Sequence, residues 1–115
     1  MTWFARNVTT RLSWLGLTRA DLAEALDVGP ASMSGTLQAA RPRKASVARI
    51  AAALGLDPTD LLAEEATGKL LEPHPGMALS DPTEAKVAAM RARLPARQDV
   101  GRRSFAKESR SGDPS

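Results

Sequence analysis

The side chains of this sequence that are able to do chemistry are mostly cationic, and their spacing suits holding anions rather than breaking bonds. Arg41, Arg43 and Lys44 form a short basic run around Pro42, Arg19 stands at the head of an Ala/Leu-rich stretch, and Ser32, Ser34 and Gln38 are polar positions among small residues. Guanidinium and ammonium groups hold phosphates and carboxylates, while hydroxyls and amides exchange hydrogen bonds with flat polar edges. A plainer reading stands beside each. The basic run serves equally as a solvated loop, Arg19 as a surface ion pair with nearby acids, and Ser32, Ser34 and Gln38 as exposed helix residues.

Bond-breaking chemistry finds little support. There is no cysteine, and the one histidine, His74, stands between Pro73 and Pro75 with no nucleophile in a recognisable setting. A single His cannot assemble a zinc site without several carboxylate partners, and neither a metal nor any other cofactor is expected. Asp57, Asp60, Glu64 and Glu65 read as helix caps and a solvated face, not as an acid/base pair. Trp3 and Trp14 have no basic residues interleaved as a stacking platform requires, which leaves them to the core or a dimer surface. The chain is read as non-enzymatic.

The net charge of +3 over 115 residues is unevenly placed. Up to Glu65, Arg6, Arg11, Arg19, Arg41, Arg43, Lys44 and Arg49 balance Asp21, Glu24, Asp27, Asp57, Asp60, Glu64 and Glu65. From Lys86 to Arg110 the cations Lys86, Arg91, Arg93, Arg97, Arg102, Arg103, Lys107 and Arg110 face only Asp99 and Glu108. The longest apolar stretch, Val47 to Leu56, is broken by Arg49 and is far shorter than the ~20 residues that span a bilayer. Without a basic-then-apolar leader, and without cysteine, the expectation is a cytoplasmic protein with no membrane partner.

The elements that must position these groups are all helical. Ala and Leu dominate, and no run alternates with period two. Phe4, Val8, Leu12 and Leu15 share one face of a helix from about Trp3 to Leu15, which Gly16 stops. Thr18 and Asp21 cap a short helix that buries Leu22, Ala23 and Leu26. Gly29-Pro30 opens a third helix to about Ala39 or Ala40, with Met33 and Leu37 inward and Ala31, Ser32, Ser34, Gly35 and Gln38 outward or at the border. A fourth runs from about Lys44 to Leu54 with Val47, Ile50, Ala51 and Leu54 buried, and Asp57-Pro-Thr-Asp60 opens a fifth.

Residues 1–65 are thus expected to close as one domain. Gly68, Pro73, Pro75 and Gly76 mark 66–80 as a linker, Asp81-Pro-Thr-Glu84 caps a further helix within 81–94 carrying the stripe Val87, Met90 and Leu94, and 95–115 composes a disordered basic tail.

A short helix ending at Leu26, a turn at Asp27-Val-Gly29 and a second short helix from Pro30 make a helix-turn-helix arrangement. The stretch Leu17-Thr-Arg-Ala-Asp-Leu-Ala-Glu-Ala-Leu-Asp-Val-Gly29, followed by Ala48-Arg-Ile-Ala-Ala-Ala-Leu-Gly-Leu-Asp-Pro-Thr-Asp-Leu-Leu62, resembles the Xre, lambda-repressor-like (Cro-type) family over about Phe4 to Glu65. That resemblance implies a five-helix, all-α domain, here with an additional C-terminal helix, whose second and third helices read double-stranded DNA, often as a homodimer on a palindromic operator. It places Arg19 where the family often has a phosphate-bracing Gln, and puts Pro30, Ala31, Ser32, Ser34, Gly35 and Gln38 on the reading helix, with Arg41, Arg43 and Lys44 at its exit towards phosphate. The departure is that the early positions Gly29, Pro30, Ala31, Ser34 and Gly35 carry no long polar arm, so bidentate base readout falls to Gln38 or the loop bases.

The function so implied is a transcriptional regulator, a repressor of phage or mobile-element type that blocks promoter access. The rival is an antitoxin or adaptor that keeps the fold and works through a protein partner at its C-terminal segment, where Val87, Met90 and Leu94 offer an apolar stripe.

Overall fold

The protein, described from a computed structural model over residues 2–94, is all-helical, and no strand occurs among the described residues. In chain order it comprises α1 (Trp3–Leu15), α2 (Arg19–Leu26), α3 (Pro30–Gln38), α4 (Lys44–Leu54), α5 (Pro58–Leu62), a 3₁₀ turn (Gly68–Leu71) and α6 (Thr83–Ala92). The boundaries follow local chemistry. Thr2 Oγ1 accepts from Ala5 N to cap α1, while Thr18 and Asp21 exchange side-chain and backbone bonds at the head of α2. Gly16 and Gly55 take the left-handed conformation, φ 73° and 72°, that ends α1 and α4, and Asp27 does the same for α2 at φ 58°. Each stop sends the following amide back over the last turn: Leu17 N to Leu12 O, Val28 N to Ala23 O and Leu56 N to Ala51 O.

The apolar faces expected on α1 to α5 meet in one core containing Phe4, Val8, Leu12, Leu15, Leu22, Met33, Leu37, Val47, Ile50, Leu54 and Leu61. The core does not stop there. Leu70, Val87 and Met90 belong to the same cluster, and α6 packs chiefly on α2 and also on α4. The segment 66–80, expected as a linker, carries the 3₁₀ turn and places Leu70 and His74 in the interior, at 0% and 3% exposed. Gly68, Pro73, Pro75 and Gly76 are themselves exposed while Leu70 and His74 between them turn inward, so the segment packs on the domain and is not a solvated tether. Asp81 likewise does not cap α6: Pro82 holds that position, and Asp81 Oδ2 accepts from Ala78 N in the preceding turn. The basic tail expected over 95–115 lies outside the described residues.

Why these later residues pack is a matter of carbonyl accounting. The last carbonyls of a helix have no partner within it, and burying them unsatisfied is costly. Arg11, wholly buried on α1, donates through Nε and Nη2 to Leu54 O at 3.0 and 2.9 Å and through Nη1 to Leu70 O at 2.9 Å and to Glu72 O. Burial lowers the Arg11 pKa from its ordinary value, with Glu72 acting in the opposite direction. One turn earlier, Asn7 Nδ2 donates to Leu61 O and Ala63 O, both at 2.9 Å, closing the end of α5. His74 Nε2 donates to Ala53 O at 2.7 Å. The helix α6 adds Lys86 Nζ to Leu15 O, Arg91 Nη2 to Glu24 O and Arg93 Nε to Ala52 O, at 2.9, 2.7 and 3.1 Å. A single helix thereby sets cations at the negative ends of α1, α2 and α4.

Candidate nucleic-acid interface

The unit α2, turn, α3 is held from behind. Leu22, Ala23, Ala25 and Leu26 bury one side of α2, and Arg49 of α4 reaches its last carbonyl, Nη2 to Leu26 O at 3.4 Å. The turn needs only Asp27, Val28 and Gly29, because the left-handed Asp27 reverses the chain at once and Gly29 serves as the N-cap of α3 with Pro30 at its first position. Asp accepts that conformation more readily than most side chains.

In α3 only Met33 and Leu37 are buried, at 3% and 1% exposed, and these two side chains anchor the helix. Everything else follows from their spacing. Pro30, Ala31, Ser32, Ser34, Gly35 and Gln38 are all exposed, as the sequence pattern requires. At roughly 100° per residue, Gly35 stands about opposite the Met33–Leu37 edge, with Ala31 and then Gln38 on one side of it and Ser32 on the other. Thr36 is half-buried, its hydroxyl donating back to Ser32 O at 3.0 Å. The outward face is therefore narrow, nearly bare of long side chains and without charge.

The helix ends at Ala39, whose extended backbone (φ −64°, ψ 134°) starts the loop to α4. Arg41 and Arg43 in that loop and Lys44 at the start of α4 are exposed, with Pro42 half-buried between the two arginines. The cations thus follow directly upon the exposed face of α3, as the chain order implied.

Arg19 differs from its expected settings. Its guanidinium is half-buried and donates through Nη2 to Thr9 Oγ1 of α1 at 3.2 Å, so the contact made is with a hydroxyl of α1 and not an acid. Beside it opens a cleft of about 480 Å³ lined by Thr2, Ala5, Arg19, Leu37, Gln38 and Ala40. The structure brings Arg19 and Gln38 to one cleft, although the chain separates them by two helices. The parts of Thr2, Ala5 and Thr9 were not legible in the sequence, since these are α1 residues whose facing is set only once α1 packs beside the reading unit.

No cluster of His, Cys, Asp or Glu able to hold a metal occurs among the described residues. No described helix is long and apolar enough to cross a membrane. What the arrangement can do is offer a slim, uncharged helix to a groove with cations beside it, a combination that suits a duplex whose grooves are framed by phosphate.

Comparison with known proteins agrees. A family model for a helix-turn-helix domain matches residues 4–64, which cover α1 from its second residue through α5 and a little over half of the chain. No curated protein and no solved structure matches the chain. On the match together with the α2–turn–α3 geometry, the chain belongs to the helix-turn-helix domain family.

Proposed function

We propose that the protein is a sequence-specific, double-stranded-DNA-binding transcriptional regulator of the Xre, lambda-repressor-like kind, a repressor that acts as a homodimer at a palindromic operator. The observation that carries this reading is the exposed face of α3, anchored only by Met33 and Leu37 and followed at once by exposed Arg41, Arg43 and Lys44. The helix is the right width for a major groove of about 12 Å, and the cations stand where a groove-docked helix meets the flanking backbone. Pro30, Ala31, Ser32, Ser34 and Gly35 face the bases in this reading, Ala31 suiting a thymine methyl and the serines a base edge or phosphate. Sequence preference then rests on small contacts, bridging water and duplex shape more than on bidentate side chains.

The experiment that tests it is selection of bound sequences from a random duplex pool with the full chain. A recovered palindromic motif is the expected result, and its half-site spacing gives the dimer geometry. Recovery of no motif, with no retention of duplex at moderate salt, removes the regulator reading. The rival, a protein adaptor or antitoxin working through the C-terminal segment, loses part of its support from the packing of α6: Val87 and Met90 are 5% and 0% exposed against the domain's own core.

A further inference from the structure

Arg43-Lys-Ala-Ser-Val47 places a serine three and two residues after a pair of cations and directly ahead of an apolar residue, with Arg41 further back. Serine kinases with acidic substrate grooves select that order, taking the cations on carboxylates and the hydroxyl at the transferred phosphoryl group. The structure leaves these parts open. Arg41, Arg43 and Lys44 are exposed, the backbone at Arg43 is extended (ψ 142°), and Ser46 is half-buried with no side-chain hydrogen bond among the described residues. The head of α4 is also the least supported in the fold. Thr2 caps α1, Thr18 and Asp21 cap α2, Pro30 starts α3, Asp57 and Asp60 brace α5, and Glu84 stands in the first turn of α6. Helix α4 has no side-chain cap and no acid or proline there; Arg43 is its N-cap and Lys44 its first residue, cations at the positive end of a helix. Opening this turn breaks the bond from Val47 N to Arg43 O and gives a kinase the extended segment it grips. The surroundings of Ser46 favour a negative charge. It is the third residue of α4, Arg43 and Arg49 lie three residues to either side of it, and no carboxylate lines the recess of about 70 Å³ that it shares with Ser32, Thr36 and Arg49.

We propose that Ser46 is a phosphorylation site for a serine kinase that reads basic residues, and that phosphate there turns DNA binding off while it stabilises the fold. In the transfer, Ser46 Oγ bonds the γ-phosphorus of a nucleoside triphosphate and the bond to the β,γ-bridging oxygen breaks. The diphosphate leaves, and the hydroxyl proton goes to the kinase's own base. The product carries about −1.5 to −2 charge at pH 7 and three acceptor oxygens in the first turn of α4. That turn holds amides that no carbonyl within the helix can meet, and the phosphate answers them together with Arg43 and Lys44. These cations are the ones a duplex would otherwise engage. The effect on DNA rests on the DNA-binding reading above, whereas the acceptor role of Ser46 does not.

The test incubates the full chain with magnesium-ATP and a purified serine kinase selective for arginine three residues ahead of its target, and maps the phosphate by mass spectrometry. Incorporation at Ser46 approaching one phosphate per chain is expected, with none at that position in Ser46→Ala and several-fold slower incorporation in Arg43→Gln. A second preparation carries phosphoserine installed at position 46 during translation. Its melting temperature should rise by a few degrees, the effect of negative charge in the first turn of a helix. Its affinity for selected and scrambled duplexes alike should fall at least roughly tenfold, with the slope of log affinity against log salt flatter by roughly 0.9 for each cation engaged. Unmodified Ser46→Ala should melt and bind like wild type. Phosphate found only at other hydroxyls, such as Ser104 behind Arg102 and Arg103, overturns the acceptor assignment. A phosphoserine chain that melts below wild type, or that binds duplex with wild-type affinity and salt slope, overturns the switch while leaving DNA binding intact. If the unmodified chain binds no duplex, the DNA-binding reading falls and the switch with it, and incorporation at Ser46 and the melting shift still decide the acceptor role.

Discussion

Lys86 and Leu15, on α6 and α1, meet at the end of a helix: the ammonium donates to the Leu15 carbonyl at 2.9 Å while its side chain is only 6% exposed. The bond closes α1 just where Gly16 turns the chain away, and a Cβ at Gly16 would stand 3.2 Å from the same nitrogen. Lys86→Ala should destabilise the fold by about 1–3 kcal/mol, the cost of a buried acceptor left without its partner. Lys86→Met, which keeps the packed stem, should cost less. Urea denaturation of the two variants checks the order, and equal stability to wild type in Lys86→Ala would show that solvent replaces the bond.

Ending the chain at Glu65 should cost far more than ending it at Leu94. The shorter chain loses Leu70, Val87 and Met90 from the core, each worth about 1.5–3 kcal/mol when fully buried, against a net stability of about 5–15 kcal/mol for an ordinary domain. It also leaves Leu15 O, Ala52 O and Ala53 O without the partners that Lys86, Arg93 and His74 supply. Thermal melts of chains ending at 65 and at 94 test this. A sharp, unshifted transition in the shorter chain would mean that α1 to α5 close without help.

Arg11 is the hub between α1, the end of α4 and the 3₁₀ turn, and its replacement should be among the most damaging single changes. Arg11→Met keeps most of the volume but strands Leu54 O, Leu70 O and Glu72 O, so a loss of at least about 3 kcal/mol is expected from several unsatisfied buried carbonyls. Arg11→Lys should recover little, because an ammonium cannot reproduce the planar fork that bridges these acceptors. Chemical denaturation is again the measurement, and a Lys variant as stable as wild type would place the value of Arg11 in its charge alone.

The five helices ahead of residue 65 were legible because each announces itself twice, through an apolar stripe and through a terminal signal: Phe4, Val8, Leu12 and Leu15 with Gly16; Leu22 and Leu26 with Thr18 and Asp21; Met33 and Leu37 with Gly29-Pro30. The exposure of Ala31, Ser34, Gly35 and Gln38 came with them, since a helix anchored at two positions must turn the rest outward. The segment from 66 to 80 hid its role. Its contribution lies in a buried polar side chain and a single apolar residue, and a buried His74 bonded to a carbonyl leaves no periodic trace, any more than Lys86 does in α6. Arg11 was similarly disguised as one more surface charge, because no local signal separates an arginine facing water from one facing the ends of two other elements.

The basic trio and Ser34 should fail in different ways if α3 docks in a groove. Replacing Arg41, Arg43 and Lys44 by Ala should weaken all duplexes together and flatten the slope of log affinity against log salt by roughly 0.9 per lost phosphate contact. Ser34→Ala should leave that slope alone and narrow the gap between selected and scrambled duplex, by about 1–3 kcal/mol if a good base contact is lost. Titration of each variant with both duplexes at two salt concentrations separates the cases. A trio variant with wild-type affinity at both salts would mean that the loop after α3 does not meet phosphate, and the adaptor reading would gain.

Gly35 offers the sharpest contrast between folding and binding. It sits in the middle of α3, where glycine costs roughly 0.5–1 kcal/mol relative to alanine, and a Cβ built on it meets nothing within 4 Å. The protein's own packing therefore gives no reason for glycine there, and Gly35→Ala should raise stability by about that amount. If the outward face of α3 lies close against a duplex, the same methyl group stands at the line of closest approach, and affinity for the selected sequence should fall as stability rises. Larger residues should extend the trend, Gly35→Leu binding more weakly than Gly35→Ala while both remain folded. Denaturation and duplex titration on the same preparations decide it, for a Gly35→Ala protein that is more stable and binds as well as wild type shows that the apex of α3 does not touch the DNA.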